Sequence, residues 1–295
     1  MKCLVTGGAG FIGSNLALEL EKLGHDVIVL DNFSTGSREN LKGFKGKVID
    51  GDATAYEFKE KFDAICHQAA ITDPRHPDDD EVMGQNLGGF RKMVELAKKC
   101  KAKLIYASTA NLYGNGPVPM KEDQEKDVTC AYGKSKLMMD EEAGKLAPSM
   151  PIVGLRYFNV FGPKEAAKGR AASMVYHLTR QMKDGKQPKI FKFGEQKRDH
   201  IYVKDVVNSN ILALDAPSGV YNVGTGIGTS FNDLIAHLNK ALNMKLKPEY
   251  IEMPYDPKTY QNNTQADTAL AEKMLKFKAS WKLHDAVNEY VQVIA

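Results

Sequence analysis

Tyr132 and Lys136 stand four residues apart in the run Tyr132-Gly133-Lys134-Ser135-Lys136, which puts both side chains on one face of a helix. A free phenol ionises at about pH 10 and is a poor base at neutral pH. An ammonium held beside it stabilises the phenolate, and proton exchange with an alcohol then comes within reach. A tyrosine and a lysine at this spacing also occur together on plain helix surfaces, so the pair decides nothing without further groups.

A second group lies at the start of the chain. Gly7-Gly8-Ala9-Gly10-Phe11-Ile12-Gly13 follows one apolar run and opens a helical pattern. Small residues there let the backbone turn tightly, so that a pyrophosphate can approach free N–H groups and the positive end of the helix dipole. A glycine-rich turn alone is common. A strand before it, a helix after it and an acid ending the second strand make it a dinucleotide site, and Asp31 is that acid. Its carboxylate can accept both hydroxyls of an adenosine ribose and repel a 2′-phosphate, which predicts NAD; Arg38 close by keeps NADP open.

These groups need a scaffold. Strands are predicted at Lys2–Thr6, Asp26–Asp31, Lys47–Asp50, Ala64–His67, Lys103–Ser108 and Pro151–Arg156. Helices at Gly13–Leu23, Val82–Cys100 and Tyr132–Leu146 fall between them, the first closed by Gly24. The alternation predicts an α/β fold, a Rossmann-type doubly wound parallel sheet with right-handed crossovers. After Asn159 the pattern loosens into a helix over Ala171–Lys183, a strand at Lys189–Phe193, a strand and helix over His200–Val203 and Asp205–Leu214, and a strand at Val220–Val223. The expectation is an NAD-binding domain over residues 1–158 and a smaller α/β substrate lobe over 159–295, with part of 200–224 returning to the main sheet.

Composition narrows the class. The 295 residues are 43% hydrophobic and 26% charged, with a formal net charge of +3 and both signs scattered. No clustered basic face suggests nucleic acid, and the run Lys98, Lys99, Lys101, Lys103 reads as the solvated end of a helix. Cys3, Cys66, Cys100 and Cys130 form no CxxC pair and have no companion histidine spacing, so neither a disulfide framework nor a metal site is expected. No apolar stretch reaches transmembrane length and no signal peptide precedes the first strand, which predicts a cytoplasmic protein without a membrane partner.

The glycine turn, Asp31, Tyr132 and Lys136 together resemble the extended short-chain dehydrogenases/reductases of the NAD-dependent epimerase/dehydratase type. In that family the strand end before the tyrosine carries a hydroxyl that bonds the reacting oxygen; Thr109 matches it, with Ser108 as fallback. The resemblance implies cofactor contacts from Gly7, Gly10, Phe11, Ile12, Gly13, Asp31, Asn32, Arg38, Asp52 and Ala53. It extends them to Gln68, Ala69 and Ala70 after the fourth strand, to Asn86, and to Tyr132, Lys136 and Tyr157. Asp52 would lie beside the adenine, although Asp50-Gly51-Asp52 also reads as a simple turn.

Within the family, sugar 4,6-dehydratases carry an Asp-Glu pair after the threonine. Ala110 and Asn111 stand there instead and cannot exchange protons, which disfavours water loss. The segments Asn159–Ser173, Tyr176–Leu178, Lys197–Asp199 and Tyr260–Asp267 are similar to ADP-glyceromanno-heptose 6-epimerases. The resemblance implies Lys168 as a second acid/base. It implies substrate contacts from Thr109, Asn159, Lys168, Arg170, His177, Phe191, Arg198 and Tyr260, on a nucleotide-diphosphate sugar. A solvated loop lysine is the plain alternative at Lys168, and an Arg198–Asp199 pair is the plain alternative at Arg198. Arg170 departs from that group's small polar residue, and Phe191-Lys192-Phe193-Gly194 differs from it in polarity. The turn Asp31–Gly36 resembles UDP-sugar 4-epimerases as much, although no Arg-Pro-Gly-Asp segment stands near Pro254–Tyr260. The expectation is thus an NAD-dependent nucleotide-sugar epimerase, an isomerase. A UDP-hexose 4-epimerase and a non-catalytic dinucleotide-binding regulator stand as alternatives. A homodimer is expected through the apolar faces of Val82–Cys100 and Tyr132–Leu146.

Overall fold

The computed structural model describes residues 1–254 and 260–294. Seven strands form a single parallel sheet: β1 (Lys2–Thr6), β2 (Asp26–Asp31), β3 (Lys47–Asp50), β4 (Ala64–His67), β5 (Lys103–Thr109), β6 (Ile152–Tyr157) and β11 (Gly219–Val223). Their order is β11-β6-β5-β4-β1-β2-β3. The inner strands are apolar through their middles because helices cover both faces; Leu4, Val5, Ile65, Leu104, Ile105 and Val153 are buried. The order reverses between β1 and β4, and a doubly wound sheet opens a crevice at the carboxyl ends of its strands there.

Helix boundaries follow their caps. α1 (Phe11–Lys22) begins two residues before the expected Gly13, because Gly10 supplies the extended N-cap. It ends where Gly24, at φ +85°, donates to the Glu21 carbonyl at 2.9 Å while His25 N–H reaches Leu20 at 3.1 Å, the paired bonds of a left-handed helix stop. α2 (Asp79–Cys100) starts three residues earlier than its apolar face suggests. Asp78 accepts the Glu81 N–H at 2.9 Å, and Asp79, Asp80 and Glu81 suit the positive end of the dipole. Lys103 is the first residue of β5 rather than part of a helix end, and its ammonium caps the Ala216 carbonyl.

The remaining elements pack beside the carboxyl edge of the sheet. β7 (Asn159–Phe161) pairs in parallel with β10 (His200–Tyr202), β8 (Lys189–Phe191) with β13 (Glu249–Ile251), and β9 (Lys197–Arg198) antiparallel with β12 (Thr229–Ser230). Of the 200–224 stretch, β11 joins the main sheet through β6, whereas β10 stays in its own ribbon. α4 (Met174–Lys183) starts at the Ser173 cap rather than at Ala171, and Glu165–Ala171 forms tight turns before it. α5 (Val203–Ala213) packs on α1, and α6 (Phe231–Leu242) packs on α7 (Leu283–Val293).

The apolar residues of α2 and α3 (Ala131–Leu146) pack first on the sheet. Leu87, Phe90, Met93, Val94, Met139 and Ala143 are buried in one core with Leu4, Ile65 and Leu104 of the sheet. The outer faces present Gln85, Arg91, Glu95, Lys134, Glu141 and Lys145. Periodicity marks a buried face without saying what buries it.

Candidate active site

The carboxyl ends of β1, β2, β4, β5 and β6 open into a cleft of about 1280 Å³ that runs on into the second set of elements. The glycine turn forms its floor. Gly7 takes φ +65°, and a Cβ on Gly13 would stand 2.1 Å from the Gly7 carbonyl oxygen, so α1 meets the turn at backbone contact. α1 begins with no side-chain cap, which leaves its first N–H groups to the cleft that Gly10, Phe11, Ile12 and Gly13 line. An uncapped, glycine-cradled helix start fits a pyrophosphate.

Asp31 fixes that turn. Its carboxylate accepts Ala9 N–H and Phe33 N–H, each at 2.8 Å. Asn32 donates to Asp52 at 3.1 Å, and Asp52 also takes the Thr54 amide and hydroxyl at 2.7 and 2.6 Å. With Ala53 these residues line the end of the cleft beside β2 and β3. Gln68, Ala69, Ala70 and Tyr157 line its middle, where Gln68 bonds Asn210 at 3.0 Å and receives the Tyr157 hydroxyl at 3.2 Å.

Two expected cofactor contacts are not in the cleft wall. Arg38 turns outward to Asp50 at 3.1 Å and stacks over Phe33 at 4.2 Å. Asn86 is buried behind the wall, where it exchanges hydrogen bonds with the Ile71 backbone at 2.8 and 3.1 Å and donates to Ser135 at 3.0 Å. It ties the loop after β4 to α3.

α3 and β5 bring the reactive groups together. Cys130 Sγ caps α3 by accepting Gly133 N–H at 3.5 Å, and Tyr132 and Lys136 follow on its cleft face. The Tyr132 phenol shares a hydrogen bond with Thr109, and burial raises its pKa to about 12. Lys136 is 1% exposed; burial draws its pKa down to about 8, against the pull of Asp140 one turn along. Ser108 is committed elsewhere, donating to Asp140 at 3.0 Å, which leaves Thr109 as the hydroxyl beside the phenol. Asp140 also receives Arg156 at 2.8 Å and Tyr106 at 2.9 Å, a buried network that stiffens the wall from behind.

The far wall carries the remaining expected residues. Asn159 accepts the Thr264 hydroxyl at 2.9 Å. Lys168 lies over the Phe11 ring at 5.8 Å, its pKa lowered by burial. Arg170, His177 and Phe191 line the same wall. Arg198 does not pair with Asp199: its guanidinium sits 5.0 Å from the Tyr260 ring and 5.7 Å from Phe231, while Asp199 is buried against Thr225, Gly226 and Ala266. Gln261 and Asn115 hold the Tyr260 segment to the loop after Thr109, at 2.9 and 3.1 Å. The stretch without an Arg-Pro-Gly-Asp segment lies mostly outside the described residues.

Sequence reasoning missed Asp73, Glu165, His200, Phe231 and Thr264. Glu165 is buried and gathers Gly162, Ser173 and Tyr290, the last at 2.6 Å, so the turns carrying Lys168 hang on α7. His200 lines the cleft with neither ring nitrogen paired, and burial keeps it neutral, with a pKa of about 3.

Residues 3–224 match the family described as the NAD dependent epimerase/dehydratase family. The chain belongs to that family. It is 36% identical to an ADP-L-glycero-D-manno-heptose-6-epimerase of Brachyspira hyodysenteriae, over 99% of this chain and 97% of that one. Its structure is similar to that of the Helicobacter pylori enzyme of the same name, with a TM-score of 0.92, 38% identity and coverage of 99% and 96%. It is also similar to a Thermotoga maritima UDP-glucose 4-epimerase solved with UDP-glucose, at 0.90, 28%, 99% and 98%. Each of these relatives is named as an epimerase of a nucleotide sugar. Among the described residues no helix is long and apolar enough to cross a membrane, and no group of His, Cys, Asp and Glu is arranged to hold a metal ion.

Proposed function

We propose that the chain epimerises the sugar of a nucleotide-diphosphate sugar, with ADP-glyceromanno-heptose as substrate and NAD as resident cofactor. The observation that carries the reading is the Tyr132–Thr109 hydrogen bond above buried Lys136. It opens on a cleft whose other parts are an uncapped helix start and the aromatic-flanked Arg198. Thr109 polarises the reacting hydroxyl, Tyr132 accepts its proton, and Lys136 stabilises the phenolate. Bound NAD would take hydride from the carbinol carbon and return it to the opposite face. Lys168 serves that second face as acid or base, and burial suits it by drawing its pKa toward working range. Asn111 accepts the Cys130 thiol at 3.2 Å and carries no exchangeable acid, so dehydration lacks a proton donor.

We assign nucleotide recognition to Arg198 with Tyr260, His177 and Phe191, the cofactor to residues 1–158, and the sugar mainly to 159–295. Incubating the purified protein separately with ADP-heptose and UDP-glucose tests this. ADP-heptose is expected to epimerise and UDP-glucose to stay unchanged. Turnover of UDP-glucose alone would install the UDP-hexose 4-epimerase reading, and turnover of neither would favour a non-catalytic regulator. Four unpaired thiols suit a reducing compartment, and we place the protein in the cytoplasm. We also propose a homodimer through the α2 and α3 helices, on family resemblance. Sedimentation is expected to give twice the 32.6 kDa chain mass, and a monomer mass overturns it.

A further inference from the structure

An enzyme that oxidises and re-reduces a sugar alcohol in one cleft makes a ketone that must not leave between the two steps. This inference rests on the epimerase reading above. Two segments that line different walls of the cleft are tied together at its rim. Asp73, Pro74 and Arg75 follow β4 on the dinucleotide side, and Lys168 and Arg170 lie in the Glu165–Ala171 turns across from them. Arg170 donates through Nε to Asp73 at 2.6 Å and through Nη2 to the Arg75 carbonyl at 3.1 Å. Arg75 returns a bond to the Arg170 carbonyl at 3.4 Å, and its amide fixes the other Asp73 oxygen at 2.9 Å. His177 meets the same Arg170 carbonyl at 3.4 Å.

We propose that Asp73 and Arg170 form a clasp that retains the keto sugar, with Asp73 as the positioning residue that holds Arg170 over the cleft. The Arg170 side chain is 64% exposed and that of Asp73 is 16% exposed. Contacts at such a rim are weak enough to part for substrate entry and product release. With NAD bound, oxidation would pass the carbinol hydride to the nicotinamide and the hydroxyl proton to Tyr132, leaving a C=O bond, and re-reduction would return hydride to the opposite face and a proton to the oxygen. Neither transfer involves the clasp. An open clasp changes only whether the ketone diffuses away before hydride returns. The arginine that departs from the small polar residue of the heptose epimerases thus has a partner and a task.

The test uses the full-length protein carrying its cofactor, with ADP-heptose, or UDP-glucose if that is the sugar turned over. Asp73→Asn and Arg170→Gln are compared with the parent. Free ketone is trapped in the filtrate with a carbonyl reagent, and reduced-nicotinamide absorbance is followed on the retained protein. Both variants are expected to keep the parent melting temperature and to release about tenfold more trapped ketone per epimerised product, the order set by losing one charge-assisted hydrogen bond. The reduced-nicotinamide signal rises in step. Reversing the pair, with Asp73→Arg and Arg170→Asp together, recovers part of the retention. Trapped ketone no higher than the parent's in both variants overturns the clasp while leaving the epimerase reading intact. A parent that converts neither sugar overturns both.

Discussion

Tyr132→Phe is expected to lower kcat by between about 10²- and 10⁴-fold, the range that positioned acid–base groups contribute, while KM and cofactor affinity stay near the parent's. The phenol bonds Thr109 within the wall, and the phenylalanine ring fills the same space, so packing survives while the hydroxyl, its bond to Thr109 and its transferable proton are lost. Progress curves for epimerisation at saturating sugar, with a thermal melt alongside, provide the check. A variant that interconverts the epimers at the parent rate contradicts the assigned role.

The same pair sets a pH dependence whose sign follows from burial. Lys136, buried and drawn down to about 8, is an ammonium below that pH and a neutral amine above it. Tyr132, pushed up to about 12 chiefly by burial and against the Thr109 hydrogen bond, needs adjacent positive charge to act as a base, and Lys136 supplies part of it. The rate therefore holds below about 8 and falls as pH rises through that value, opposite to the rise expected if simple ionisation of a lone tyrosine limited the reaction. Lys136→Met removes the charge without leaving a polar orphan; its rate is low throughout and its alkaline fall is absent.

What was legible in the sequence was what the backbone demands locally. The glycine turn, Asp31 at a strand end and the Tyr132–Lys136 spacing each need specific residue types at short range, and the order of strands and helices follows from periodicity. Side-chain direction was not legible. Arg38 is near the cofactor turn in sequence and faces Asp50 in space, and Asn86 serves the wall from behind. Ser108 and Thr109 are adjacent in a strand, where neighbours point to opposite faces, and only the fold shows that Asp140 claims the first. Long-range pairs left no mark: nothing in composition links Asp73 to Arg170, or Glu165 to Tyr290. The apolar residues of α2 and α3 pack on the sheet, and their period does not say whether a partner covers the rest of the two helices. Packing on the sheet and packing on a partner leave the same period.

Gly13→Ala tests the cofactor floor. A Cβ there would stand 2.1 Å from the Gly7 oxygen, 2.7 Å from the Gly7 carbonyl carbon and 2.9 Å from Gly8 Cα. All three are backbone atoms, so no side chain can swing aside, and α1 must move away from the turn. That motion carries the uncapped N–H groups of Phe11 and Ile12 off the pyrophosphate position. Overpacking of this kind costs about 1–3 kcal/mol or more, and the affinity loss adds to it because the displaced amides are the binding groups. NAD binding, measured by calorimetry, is expected to weaken by at least about a hundredfold, on the order of 3 kcal/mol, with a lower melting temperature. Gly144→Ala is the control: it lies in α3 with nothing within 4 Å of its added Cβ. Alanine there raises helix propensity by up to about 1 kcal/mol and leaves NAD affinity alone. Equal NAD affinity in Gly13→Ala and the parent would mean that the turn binds no pyrophosphate, and the cofactor would have to lie elsewhere than over the first helix.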